Sequence, residues 1–170
     1  INLRCLNLSF TKVDNLSLMA IANNIKCLKI LSLVNCEMIS DAGIIARFST
    51  LESLNLDECL WVSDESLGSI AGGCRELAHL SLGFTQITDK GLYNLSECKL
   101  IRSLRISYCR SVEGPGLVAL VMNCPSFCYV VMSHRFKGSE TLRKLKERFC
   151  NVHLEADDMQ MVPFGFSLLM

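Results

Sequence analysis

The sequence has no net charge and no long apolar segment. Seventeen lysines and arginines balance seventeen aspartates and glutamates, so the basic stripe typical of nucleic-acid binders is missing. Half of the 170 residues are hydrophobic, yet the longest purely apolar run is LVALVM at 117–122. That run is far below the roughly 20 residues that a membrane-spanning helix needs. The composition therefore predicts neither a nucleic-acid partner nor a membrane span.

The chain also lacks the cysteine spacing of a metal site. Ten cysteines would suggest a disulfide scaffold in a small secreted protein poor in hydrophobic residues. Here hydrophobic residues are abundant, no Cys-x-x-Cys pair exists, and no histidine follows Cys124 and Cys128 at zinc-finger distance. No secretory signal is visible. We therefore expect buried free thiols, no metal or other cofactor, and a reduced cytoplasmic and/or nuclear location.

A repeated leucine pattern is what the sequence has instead. The pattern Leu-x-x-Leu-x-Leu, or a weaker copy of it, begins at Leu3, Leu28, Leu51, Leu77, Ile101 and Phe127. A period of this size indicates a solenoid. Within each unit the apolar period changes from two, typical of a strand, to about 3.6, typical of a helix. The sequence therefore predicts one strand and one helix per repeat.

The junction between strand and helix recurs as well. The segments ISDAG at 39–43, VSDES at 62–66 and ITDKG at 87–91 align with one another. Their hydroxyl residues stand at the predicted helix N-caps, and the aspartates that follow stand where a carboxylate meets the positive helix end. These positions are Ser40 and Asp41, Ser63 and Asp64, and Thr88 and Asp89. Repetition favours a structural role for these residues over an acid–base site.

The cysteines follow the same period. Cys36, Cys59 and Cys109 share one slot, which holds Thr11 and Thr85 in the repeats with shorter loops. We expect this slot to bond a neighbouring backbone carbonyl in a tight, buried turn. Cys74, Cys98 and Cys124 share a second slot, three residues before the next repeat. Periodic placement favours packing, because a nucleophile needs a base and an exposed electropositive niche.

At this point the residues resemble a known class. The run LESLNLDECLWVSDESLGSIAGGCREL at 51–77 resembles the cysteine-containing leucine-rich repeat, L-x-x-L-x-L-x-x-C-x-x-I-T-D-x-G-L. LAHLSLGFTQITDKGLYNLSEC at 77–98 matches its shorter, cysteine-free form. The resemblance implies an α/β solenoid, a curved horseshoe with parallel strands on the concave side and helices on the convex side. We expect a domain of about six repeats over 1–154, with a C-terminal cap at 139–154 and an acidic, then apolar tail at 155–170.

This repeat subtype is most familiar from F-box/LRR proteins, the substrate receptors of SCF-type ubiquitin ligases. The resemblance implies a protein substrate on the concave face. It implies a Skp-type adaptor and a cullin only through an F-box, which these residues do not contain. The alternative is an F-box-free regulator or scaffold that acts by binding alone, as in the related mitotic-exit antagonist family. The chain begins inside a repeat, so we expect further repeats or a whole domain before it.

Alternation along the strands predicts which side chains line the concave face. Small residues dominate there, and larger ones gather just past the strands. We expect a partner protein to contact Asn55, Asp57, Trp61, His79, Phe84, Arg105, Tyr108 and Tyr129. Ordinary solvated or loop-packed residues are the alternative for each. We expect no catalysis: Asp57 and Glu58 are neighbours that point to opposite faces of a strand, and no serine or cysteine is expected beside His79 as a nucleophile.

Overall fold

The computed structural model describes residues 2–44, 48–148 and 152–155. Short parallel strands form one seven-stranded sheet whose order follows the sequence. They are β1 Cys5–Asn7, β2 Ile30–Ser32, β3 Ser53–Asn55, β4 His79–Ser81, β5 Ser103–Arg105, β6 Tyr129–Ser133 and β7 Val152–Glu155. This order and direction confirm the prediction of an α/β leucine-rich-repeat solenoid.

A helix follows each of the first six strands. These helices are α1 Asn15–Asn24, α2 Asp41–Ile44, α3 Asp64–Gly73, α4 Asp89–Leu95, α5 Pro115–Asn123 and α6 Glu140–Arg148. A 3-10 helix, His134–Phe136, lies between β6 and α6. Among the described residues, no helix is both long enough and apolar enough to cross a membrane.

Strand register stacks equivalent residues from one repeat to the next. Leu31 pairs with Leu6 on one side and with Leu54 on the other, and Leu80 and Leu104 continue the column. From Leu31 onward these side chains are at most 3% exposed. Burying one leucine contributes about 1.5–3 kcal/mol, so the leucine columns supply most of the force that holds neighbouring repeats together.

The cysteine and threonine turns have the predicted geometry. The thiols of Cys36 and Cys109 donate to the carbonyl oxygens of Leu8 and Leu82, one repeat earlier, at 3.1 and 3.0 Å. The Thr85 hydroxyl donates to the Leu82 carbonyl within its own repeat, at 2.6 Å. Thiol and hydroxyl therefore satisfy the same kind of buried carbonyl, which is why the two residue types exchange in this slot.

The junction aspartates lie in the first turn of their own helices, as predicted, and they also bond the following repeat. Each carboxylate accepts hydrogen bonds from the helix start of the following repeat, and not from its own helix. Asp64 accepts from the Thr88 amide at 2.8 Å and from the Thr88 hydroxyl at 2.7 Å. Asp89 likewise accepts from the amides of Glu113 and Gly116, both at 2.7 Å. The aspartates thus link repeats, and only the cap hydroxyls serve their own helices, as Thr88 does toward the Lys90 amide.

Close approach at this junction explains the recurring glycine two residues after the aspartate. A Cβ at Gly91 would lie 2.4 Å from Asp64 Oδ1, and one at Gly116 would lie 2.4 Å from the Asp89 carbonyl oxygen. No real Cβ contact is that short, so a side chain at either position would push the two repeats apart. Where Ser66 replaces the glycine, its hydroxyl donates to Asp41.

Three residues past the end of each of the first five strands, the backbone adopts a left-handed conformation. Positive φ angles of 52–64° occur at Phe10, Asn35, Glu58, Phe84 and Tyr108. Non-glycine residues pay a steric cost there. The larger side chains that the sequence places just past the strands therefore sit where the backbone alone would favour glycine.

The C-terminal end is covered by α6 and β7. Leu142 and Leu145 of α6 are buried, and β7 pairs in parallel with β6. Residues 149–151 of the predicted cap and residues 156–170 of the predicted tail lie outside the described residues. At the other end, Leu3, Leu6 and Leu8 are only half-buried, although they pack against the core.

Candidate partner-binding surface

A groove of about 540 Å³ lies on the concave side of β2 to β5. Its floor is built from strand residues with small or polar side chains, because the leucines between them turn into the core. The lining residues of the strands include Ile30, Ser32, Ser53, Asn55, His79, Ser81 and Ser103. We call this the concave groove.

His79 is hydrogen-bonded to a serine of the next strand. Ser53, His79 and Ser103 are register partners on β3, β4 and β5, and His79 Nδ1 lies 2.7 Å from Ser103 Oγ. Burial and the nearby Arg102 lower the pKa of His79, and Glu52 opposes them. The bond fixes the imidazole ring. Among the described residues, no acidic or amide side chain is hydrogen-bonded to His79. The pair therefore lacks the third group that orients the histidine in a catalytic triad.

Charged side chains border the groove on the side where the strands begin. Lys29 and Glu52 form an exposed ion pair at 2.8 Å. Arg102 and Glu76 also line the groove, and both are exposed. Neither forms an ion pair with any described residue. Sequence alternation missed this border because these residues precede the strands.

Asp57 and Arg105, two predicted contact residues, are buried against each other. Arg105 donates from a terminal guanidinium nitrogen to Asp57 Oδ2 at 3.1 Å, and both side chains are less than 10% exposed. Asp57 Oδ1 also accepts from the Ser81 hydroxyl at 2.7 Å and from the Gly83 amide at 2.6 Å. Both side chains are thus largely buried in the sheet surface, and their contact with a partner stays a prediction.

Phe84 and Tyr108 form a stacked aromatic pair beyond the strand ends. Their ring centroids are 4.2 Å apart with an interplanar angle of 15°. Glu58 occupies the equivalent position in the preceding repeat, where burial and the neighbouring Asp57 carboxylate raise its pKa. Arg105 opposes that rise. Alternation did not single out Glu58, but its alignment in the sequence with Phe84 and Tyr108, just past the strands, could have.

The remaining predicted residues are spread over the same side. Trp61 is 63% exposed on the loop after β3, and Met38, at the equivalent position of the preceding repeat, is also exposed. Asn55 is half-buried, and its Oδ1 accepts from the Asp57 amide at 2.9 Å. Tyr129 is half-buried on β6, outside the groove lining. The eight residues therefore do not form one site: Asn55 and His79 line the groove, and the others surround or support it.

The chemistry of the described residues favours binding. Burial raises the pKa of Cys59 to about 12 and that of Cys109 to about 11, so these thiols stay protonated at neutral pH. Within residues 2–44, 48–148 and 152–155, no group of three histidine, cysteine, aspartate or glutamate side chains could hold a metal ion. The concave face offers a shaped surface with both polar and apolar groups, and no assembled reaction centre among these residues.

Comparison with known families decides the identity of the repeat. The family described as Leucine Rich repeat matches residues 1–22, 24–46, 73–96 and 97–121, together more than half of the chain. The chain belongs to the leucine-rich-repeat family. A domain of this family indicates a role in protein–protein interaction, and the open concave groove fits that role.

Several known proteins resemble this leucine-rich-repeat chain. It is 34% identical to F-box/LRR-repeat protein 12 of Arabidopsis thaliana over 83 residues, which cover 46% of the chain and 21% of that protein. It is 34% identical to coronatine-insensitive protein homolog 1a of Oryza sativa subsp. indica over 122 residues, which cover 66% of the chain. The chain spans about a fifth of the length of these relatives.

Solved structures share the fold at low sequence identity. A chain of the Rad7–Elc1 complex from yeast superposes with a TM-score of 0.68 at 18% identity, covering 90% of this chain and 43% of that one. The tropomodulin C-terminal domain of Caenorhabditis elegans superposes with a TM-score of 0.53 at 16% identity, covering 86% of this chain and 82% of that one. At these identities the likeness concerns the fold alone.

Proposed function

We propose that this chain is the substrate-binding leucine-rich-repeat region of an F-box-type SCF ubiquitin-ligase receptor. The observation that carries the proposal is the 34% identity to F-box/LRR-repeat protein 12 over 83 residues. In this proposal the concave groove and the residues around it hold the protein substrate. The chain acts by binding and not by catalysis, in the cytoplasm and/or nucleus.

The experiment is affinity purification of the natural gene product from its source cells with an epitope tag, followed by mass spectrometry. We expect a Skp-type adaptor and a cullin to co-purify through an F-box outside these 170 residues. The tagged 170-residue chain is the matched control and should recover substrate candidates without the adaptor. If neither adaptor nor cullin co-purifies with the natural gene product, the proposal is contradicted. That result would support an F-box-free regulator that works by binding alone.

A further inference from the structure

The concave groove is lined by two cations, Lys29 and Arg102, and by two anions, Glu52 and Glu76, and of these four only Lys29 and Glu52 form an ion pair within the described residues. Lys29 is balanced by Glu52, at 2.8 Å, at the β2–β3 end. At the β5 end, Arg102 is exposed and forms no ion pair with any described residue. Glu76 lines the groove between them but does not pair with it. The guanidinium of Arg102 is therefore available to a ligand in the groove.

His79 stands next to this cation in the middle of the groove floor. Its strand neighbours are Ser53 and Ser103, so no large side chain flanks the imidazole within the sheet. The bond between Nδ1 and Ser103 Oγ holds the ring in place. Nε2 has no hydrogen-bond partner among the described residues, which leaves one ring nitrogen for a ligand.

We propose that the concave groove binds an extended segment of a partner protein through one aspartate or glutamate side chain, held by Arg102 and His79. A carboxylate accepts two hydrogen bonds from a guanidinium in a planar geometry, and it can also accept one from imidazole Nε2–H. Charge complementarity at the β5 end favours this occupant, because Arg102 acts electrostatically on His79 and forms no ion pair with any described residue. The inference rests on the proposed function in one respect, that the ligand is a protein.

The dimensions of the groove fit an extended chain. A volume of about 540 Å³ lies within the usual range of roughly 300–1,000 Å³ for ligand pockets. Four serines and the half-buried Asn55 form much of the floor, so a peptide backbone can approach the sheet closely. The hydroxyls of Ser32, Ser81 and Ser103 are already bonded to neighbouring side chains. The Lys29–Glu52 pair borders the opposite end and presents no unbalanced charge to the segment.

The test is selection of random linear peptides displayed on phage against the immobilised 170-residue chain. We expect the selected peptides to be enriched in aspartate or glutamate at one position. Arg102→Glu should reverse that preference to lysine or arginine. Arg102→Gln should weaken binding of a selected peptide by about tenfold to a hundredfold, because a hydrogen bond to a charged group is lost.

Lys90→Glu is the matched control, since Lys90 is exposed on α4 and the change in net charge is the same. It should leave both enrichment and affinity unchanged. Circular dichroism of each variant shows whether the fold is kept, and Arg102→Gln provides the milder change if Arg102→Glu unfolds. His79→Asn should weaken the same peptides.

Three outcomes would overturn the inference. One is selection without acidic enrichment, and another is the same enrichment on Arg102→Glu as on the native chain. The third is binding that requires phosphorylated peptides and ignores carboxylates. Failure here leaves the adaptor purification untouched, because that experiment depends on residues outside the groove. Conversely, loss of the adaptor result would leave the peptide preference standing.

Discussion

The edge where the helices begin and the concave face of the sheet are built from the same repeats but follow different rules. At the helix starts, Asp41, Asp64 and Asp89 each bond the next repeat's cap in the same way. On the concave face, equivalent positions hold unrelated residues, such as Ile30, Ser53, His79 and Tyr129. Residues that the fold requires therefore recur with the period, and residues that distinguish this protein break it.

The buried Asp57–Arg105 pair on the concave face does not recur with the repeat period among the described residues. It therefore tests whether every residue that departs from the period has a role in binding. Arg105→Ala should lower the free energy of unfolding by about 3–5 kcal/mol, because it leaves the Asp57 carboxylate buried without its cation. Urea denaturation followed by circular dichroism measures the change. The control is Arg102→Ala, which removes the same side chain from an exposed position.

The control should change the free energy of unfolding by less than about 0.5 kcal/mol. If both variants lose the same stability, burial does not separate the two arginines, and Arg102 belongs to the framework of the sheet. If neither loses stability, the Asp57–Arg105 pair is available to a partner, as the sequence predicted.

Repeat spacing at the helix starts gives the second prediction. Gly116→Ala should destabilise the chain by about 1–3 kcal/mol, because the new methyl group would overlap the Asp89 backbone. Gly72→Ala is the matched control: it lies in α3 with nothing within 4 Å of its Cβ position. That change should stabilise the chain by up to about 1 kcal/mol through helix propensity. Equal thermal midpoints for the two variants would show that the junction can widen.

The sequence predicted the repeat, the strands, the cap hydroxyls of Ser63 and Thr88 and the carbonyl-bonding cysteine slot, because each recurs and repetition averages out local ambiguity. It did not predict that the aspartates bond forward to the next repeat, since helix-dipole reasoning treats one helix at a time. Nor did it predict the Asp57–Arg105 pair or the His79–Ser103 bond. Both join different repeats, with partners 48 and 24 residues apart, and neither is repeated elsewhere among the described residues.

The residues with positive φ just past the strands share features of both regions. Their backbone conformation recurs, as at the helix starts, while their side chains vary, as on the concave face. Glu58 has a φ of 63°, where a Cβ costs about 1–2 kcal/mol. Glu58→Gly should therefore be more stable than Glu58→Ala by about 1 kcal/mol in urea denaturation, since only glycine removes that cost. Stability equal to that of Glu58→Ala would indicate that the turn is not strained. A more stable glycine variant would mean that the glutamate side chain is kept for something other than the fold.

The smallest expected effect concerns the electrostatics of the concave groove. Burial and Arg102 hold the pKa of His79 below its usual value of 6.5, against Glu52. Lys29 and Glu76 also line the groove. In an NMR titration, Arg102→Gln should raise the pKa of His79, because the neighbouring positive charge is gone. Lys90→Gln, on the convex side, should leave it unchanged.

The sign of this shift also fixes its effect on stability. As pH falls below about 6.5, the unfolded chain binds a proton at His79 more readily than the folded chain. The contribution of the neutral imidazole is therefore lost on acidification through that range, and Arg102→Gln should reduce the loss. A carboxylate bound in the groove would act in the opposite direction and raise the pKa of His79. If Arg102→Gln leaves the pKa of His79 unchanged, the guanidinium is too far from the imidazole to influence it. One acidic side chain of a ligand could then not contact both Arg102 and His79.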